Sequence, residues 1–83
     1  MATISARVIR CVSKRLNNTL VSRESNLVTD LEFDSLGILE LVMDLEDEFN
    51  INISDRYFKD VKTVKDIIVL LENWNETVID NSD

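Results

Sequence analysis

The sequence predicts an all-α domain, and three observations carry that reading. Its 83 residues include no proline and a single glycine, so little interrupts helical backbone. Apolar residues recur at intervals of three and four in separate segments. Two residues suited to start helices, Asp34 and Thr63, stand directly before two of those segments. A chain of this length forms one small domain with a thin core. Residues 1–74 read as that domain and residues 75–83 as a flexible acidic tail.

The first segment, Thr3 to Leu16, places Ile4, Val8, Cys11, Val12 and Leu16 on one stripe. Arg7, Arg10, Lys14 and Arg15 fall between them, and this basic face reads as solvated. Cys11 reads as a small core hydrophobe. Asn17 and Asn18 end the helix, because Asn tolerates the left-handed conformation when glycine is absent. Residues 19–33 form a long loop whose scattered apolar residues tack it onto the core.

The second helix runs from Ser35 to Phe49, with Asp34 as its N-cap. Ile38, Leu41, Val42, Leu45 and Phe49 form a broad inner face. Leu36, Leu39 and Met43 form a second apolar stripe, interleaved with Glu40, Asp44 and Asp47. Such a stripe is either a docking surface or the second buried side of the helix. Residues 50–53 read as an extended link. Ser54 then caps a short third helix, Asp55 to about Lys59, anchored by Tyr57 and Phe58. Thr63 opens the last helix in a capping box completed by Asp66. Val64, Ile67, Ile68 and Leu71 form its inner face, and Trp74 covers the end of the core.

Composition narrows the function. There is no histidine, one cysteine and one glycine. These counts remove the commonest general base, disulfide frameworks and glycine-rich phosphate loops. With so thin a core, the chain does not read as an enzyme, and no metal site is expected. The net charge of −7 argues against nucleic acid and for basic protein partners. The charge is uneven. Residues 1–23 hold five basic residues and no acid, whereas residues 30–49 hold eight acids and no base. No segment is long and apolar enough for a membrane span. A lone cysteine and no signal-like run suit the cytoplasm. The expected oligomeric state is a monomer.

Ser35 is the residue with chemical potential. It stands at a helix N-terminus, where free N–H groups and the helix dipole favour a phosphate. With no base nearby, its hydroxyl is accessible and not activated. That suits a serine modified by another enzyme. A plain helix-start serine has the same pattern.

The run Asp30-Leu31-Glu32-Phe33-Asp34-Ser35-Leu36, with Glu40-Leu41-Val42-Met43 and Leu45-Glu46-Asp47-Glu48-Phe49, resembles the acyl carrier proteins. The similarity extends from Thr3 to about Leu71, through Ile51-Asn52-Ile53 and Thr63-Val64. It implies a four-helix bundle with a short third helix. It implies that a holo-carrier synthase, a phosphopantetheinyl transferase, moves 4'-phosphopantetheine from coenzyme A to Ser35, assisted by Asp34. Acyl intermediates would then ride as thioesters on that arm, toward fatty acid, polyketide or modified-lipid biosynthesis. Leu36, Leu39, Glu40, Met43, Glu46 and Asp47 match positions that meet basic docking patches on synthases and on loading ligases or transferases. Leu41, Leu45, Phe49, Ile53 and Ile67 would line an acyl pocket.

Some positions depart from the family pattern. Glu32 stands where glycine is usual. Gly37 is more typical of aminoacyl and peptidyl carriers, which are loaded by an amino-acid-activating ligase. Arg56, Lys59, Lys62 and Lys65 replace a usually acidic region. These departures imply a specialised member rather than a housekeeping one. The alternative outside the family is an unmodified helical adaptor that docks through the Leu36, Leu39 and Met43 stripe.

Overall fold

A computed structural model describes residues 3–17 and 19–74. The expected tail, residues 75–83, and Asn18 lie outside them. Among the described residues there are three α-helices: α1 (Ile4–Arg15), α2 (Ser35–Phe49) and α3 (Val64–Glu72). Among the described residues there is no extended strand, only an isolated antiparallel bridge between Asn26 and Thr63.

Each helix starts as its sequence dictates. The Thr3 hydroxyl accepts from Ala6 N–H, and the Asp34 carboxylate accepts from Gly37 N–H. Thr63 and Asp66 close a reciprocal capping box, satisfying two backbone N–H groups that the helix itself cannot. Asn17 and Asn50 adopt left-handed backbone beyond α1 and α2, each at φ 57°. No glycine was available for either place.

The expected third helix is a single 3₁₀ turn, Asp55–Phe58, and the Ser54 side chain makes no capping bond to it. Its backbone bonds span three residues, as in Tyr57 N–H to Ser54 O at 3.0 Å. A segment this short does not recover the cost of nucleating an α-helix. It is held instead by Tyr57 and Phe58, which pack on the core. Trp74 meets the Tyr57 ring edge-on, with centroids 5.2 Å apart.

The core joins Val8 and Val12 of α1, Leu41 and Leu45 of α2, and Val64, Ile67, Ile68 and Leu71 of α3. Leu27 and Phe33 of the α1–α2 connection are buried with them. Each such side chain contributes about 1.5–3 kcal/mol on leaving water. The connection is tied to the start of α3 by backbone bonds. Leu27 N–H donates to Lys62 O (2.8 Å), Val64 N–H to Ser25 O (3.1 Å) and Lys65 N–H to Arg23 O (2.8 Å).

The basic face of α1 is not simply solvated. Arg7 reaches Glu48, and Arg15 reaches both Glu40 and Asp44 of α2. These pairs show that the two helices run antiparallel. They also place positive charge against an acidic helix that carries no base of its own.

Candidate functional site

The site is built at the start of α2. Upstream, Asn26 folds residues 26–31 into a closed turn. Its side-chain oxygen accepts from Val28 N–H and Thr29 N–H, each at 2.9 Å. Its backbone N–H donates to Asp30 Oδ2 at 2.7 Å. Phe33 is buried, and its N–H donates to Leu27 O at 2.8 Å. The chain therefore leaves the core at Phe33 and presents Asp34 and Ser35 to solvent. Asp34 Oδ1 accepts from Gly37 N–H at 2.7 Å, which fixes the first turn.

Ser35 is the first residue of α2 and is exposed. Among the described residues no side-chain hydrogen bond engages its hydroxyl, and no histidine exists to activate it. The hydroxyl is free to be modified and has no partner that would make it a nucleophile unaided. A phosphodiester on it would sit beside the unpaired N–H groups of a helix N-terminus. The residues present therefore fit a prosthetic group linked through phosphate.

Gly37 has a local reason. A Cβ there would lie 3.0 Å from Phe33 Cδ1 and 3.1 Å from Asp34 Oδ1. A side chain at position 37 would press on both the buried anchor and the capping carboxylate.

The second apolar stripe faces water. Leu36, Leu39 and Met43 are 61%, 51% and 56% exposed. Val28, on the preceding turn, is exposed as well. The choice left open by periodicity falls to the exposed face. The acids around it divide into two kinds. Asp47 is exposed, and among the described residues it has no ion pair. Glu40 is paired with Arg15 at 3.1 Å, and Glu46 Oε2 accepts from Ile53 N–H at 2.8 Å, fastening the link after α2. The hydrogen bond from Arg15 holds the Asp44 carboxyl below the usual range. Sequence spacing gave no sign of these bonds, since each joins α2 to a segment outside it.

Leu41, Leu45, Ile53 and Ile67 are buried in one cluster, and Phe49 packs at its edge. They form closed core. A groove between α1 and α2 is lined by Cys11 and by the charged side chains of Lys14, Arg15, Asp44, Asp47 and Glu48. Burial pushes the Cys11 thiol up, and the nearby Glu48 and Asp44 charges add to this. Cys11 is therefore a core residue and not a nucleophile.

The family model described as the phosphopantetheine attachment site matches residues 6–71. An acyl carrier protein of Helicobacter hepaticus is 40% identical over 70 residues, covering 84% of this chain and 90% of that protein. One from Syntrophobacter fumaroxidans is 35% identical over 69 residues, covering 81% and 85%. A solved structure from Mycobacterium tuberculosis, described as an acyl carrier protein, superposes with a TM-score of 0.80 at 32% identity. It covers 88% of this chain and 100% of its own. An exposed, unactivated serine at a capped helix start, on a helical fold matched this far along its length, leads to one conclusion: the chain belongs to the acyl carrier proteins, which hold 4'-phosphopantetheine covalently and serve as carriers rather than enzymes.

Proposed function

We propose that Ser35 is the attachment residue and that the chain carries acyl intermediates as thioesters between partner enzymes. The observation that carries this is the exposed Ser35 hydroxyl at the capped N-terminus of α2. In the modification, Ser35 Oγ forms a bond to the pantetheinyl phosphorus of coenzyme A. The bond to adenosine 3',5'-bisphosphate breaks, and the hydroxyl proton passes to a base of the transferase. Asp34 fixes the helix start through Gly37 N–H and leaves its other oxygen toward solvent, where it assists the transfer. The bound arm supplies a flexible thiol, which the chain's own buried Cys11 does not.

Partner docking falls to Leu36, Leu39 and Met43, with Glu40, Glu46 and Asp47 around them. Their exposure and charge suit basic patches on the transferase, on a loading ligase or acyltransferase, and on synthases. Leu41, Leu45, Phe49, Ile53 and Ile67 would sheath the cargo if the helices part. The chain works as a monomer in the cytoplasm. Among the described residues no helix is long and apolar enough to cross a membrane.

Within the family the chain is a specialised carrier of fatty acid, polyketide or modified-lipid biosynthesis. Arg56, Lys59, Lys62 and Lys65 around the 3₁₀ turn, and Glu32 before Ser35, support this. An aminoacyl role is the less favoured reading, because contacts with Phe33 and Asp34 account for Gly37 locally.

Intact mass after incubation with coenzyme A and a broad-specificity phosphopantetheinyl transferase tests the assignment. One phosphopantetheinyl group should be gained, and Ser35→Ala should gain none. A gain that survives Ser35→Ala would overturn it. Acylation of the modified protein by an acyl donor enzyme, and not by an amino-acid-activating ligase, would settle the class of cargo.

A further inference from the structure

We infer that the cations around the 3₁₀ turn and the start of α3 form a second docking surface, which pairs with carboxylates on an acidic face of a partner enzyme. The inference rests on the reading of the chain as a carrier that meets partner enzymes.

Five cations gather there from two distant segments. Lys65 N–H donates to Arg23 O at 2.8 Å, which brings Arg23 beside the stretch that holds Arg56, Lys59, Lys62 and Lys65. All five are exposed, and among the described residues none has an ion pair. Arg7 and Arg15 of α1 differ, because acids of α2 hold them. Acids do stand near the cluster. Asp66 is engaged by the backbone N–H groups of Lys62 and Thr63. Glu24, Asp55 and Asp60 are exposed and pair with none of the five cations. Gathering like charges destabilises a fold slightly, and no internal ion pair offsets it here.

The surface is held in place. The Arg56 guanidinium lies 5.6 Å from the centroid of the Tyr57 ring, and Tyr57 packs on the core. Leu27 N–H donates to Lys62 O, and Leu27 O accepts from Phe33 N–H, two residues before Ser35. Val28, next to Leu27, is exposed and gives the cations an apolar neighbour. A partner that reads both surfaces meets acids along α2 and cations around the 3₁₀ turn. The opposite signs fix its orientation and reject a partner that is basic throughout.

A protein fits this surface better than an anionic membrane does. Glu24, Asp55 and Asp60 lie among the cations, and the chain as a whole carries −7. A sheet of anionic headgroups is repelled by both. A folded partner can set single carboxylates opposite single cations.

The test couples lysines to carboxylates directly. The full chain, carrying its prosthetic group, is mixed with an extract of its native source and treated with a water-soluble carbodiimide, which joins an amine to a touching carboxylate. Mass spectrometry of the peptides should show Lys59, Lys62 or Lys65 joined to an Asp or Glu of another protein. That protein, once purified, should bind the double variant Lys59→Gln, Lys62→Gln about fivefold more weakly at low salt, the loss expected of two exposed ion pairs. High salt should shrink the difference, and the melting temperature should stay unchanged. Lysines left uncoupled, or coupled only within the chain, overturn the inference. Equal binding of the double variant also overturns it. So does sedimentation of the wild-type chain with phosphatidylglycerol vesicles that the double variant loses, because the cations would then meet lipid. Each of these results, with Ser35 modified normally, leaves the attachment assignment standing. A wild-type chain that gains no prosthetic group sinks that assignment and this inference together.

Discussion

Arg7 grips Glu48 at two points, although 41 residues separate them: its Nε donates to the carboxylate at 2.8 Å and its Nη2 to the backbone carbonyl at 2.7 Å. The same guanidinium lies 4.3 Å from the centroid of the Phe49 ring. The last turn of α2 contains no base, so α1 supplies the cation that the negative end of that helix favours.

Arg7→Met should lower stability by about 1–2 kcal/mol, from the carbonyl bond and the ring contact. Glu48→Gln keeps both contacts and should cost less, since the ion pair it weakens is half-exposed. Urea unfolding followed by fluorescence of Trp74, the sole tryptophan, reads both. Equal losses would show that the carboxylate carries the contact.

Asp66 ties the start of α3 to the segment before it, accepting from Lys62 N–H at 2.9 Å and Thr63 N–H at 3.0 Å. The bonds from Lys62 and Thr63 hold its carboxyl below the usual range. A depressed folded-state pKa means the contribution is complete above the unfolded value, 3.8. It is lost as pH falls below that value through the folded one. Thermal stability should therefore hold from neutrality to about pH 5 and fall below about pH 4. Asp66→Asn should cost about 1 kcal/mol at pH 7 and flatten part of that acid slope. An unaltered slope would assign the acid loss to other carboxylates.

Asp47 and Glu40 should differ as docking charges. Asp47 is free to meet a basic partner, whereas Glu40 must first share Arg15. Asp47→Asn should slow association with a basic synthase several-fold at low salt and much less at high salt. Glu40→Gln should have the smaller effect on association. Stopped-flow association rates at two ionic strengths decide this, and matching effects would mean that Arg15 releases Glu40 on docking.

The local features of the fold were legible in the sequence. Asp34 and Thr63 announced the starts of α2 and α3 through side-chain chemistry within three residues of each cap. The interleaving of Leu36, Leu39 and Met43 with acids marked a second apolar stripe, but periodicity left open whether it faced water or was buried. Ser35 was visible by position and, more specifically, by its surrounding motif. Contacts between distant segments were not legible. Arg7 and Arg15 had the spacing of a solvated face, and nothing in that spacing tells where α2 will lie. Glu46 read as one more surface acid because its acceptor role depends on the chain turning back at Asn50. The 3₁₀ turn was overread as a helix because Tyr57 and Phe58 suggested an inner face, while four residues are too few to sustain one.

The three backbone bonds between residues 23–27 and 62–65 have a mechanical consequence. They fasten the segment leading to Ser35 onto the beginning of α3. Anything that wedges α3 away from α2 must drag that segment along or break the fastening. A displacement of α3 is then passed to the segment before Ser35 as a change in its posture.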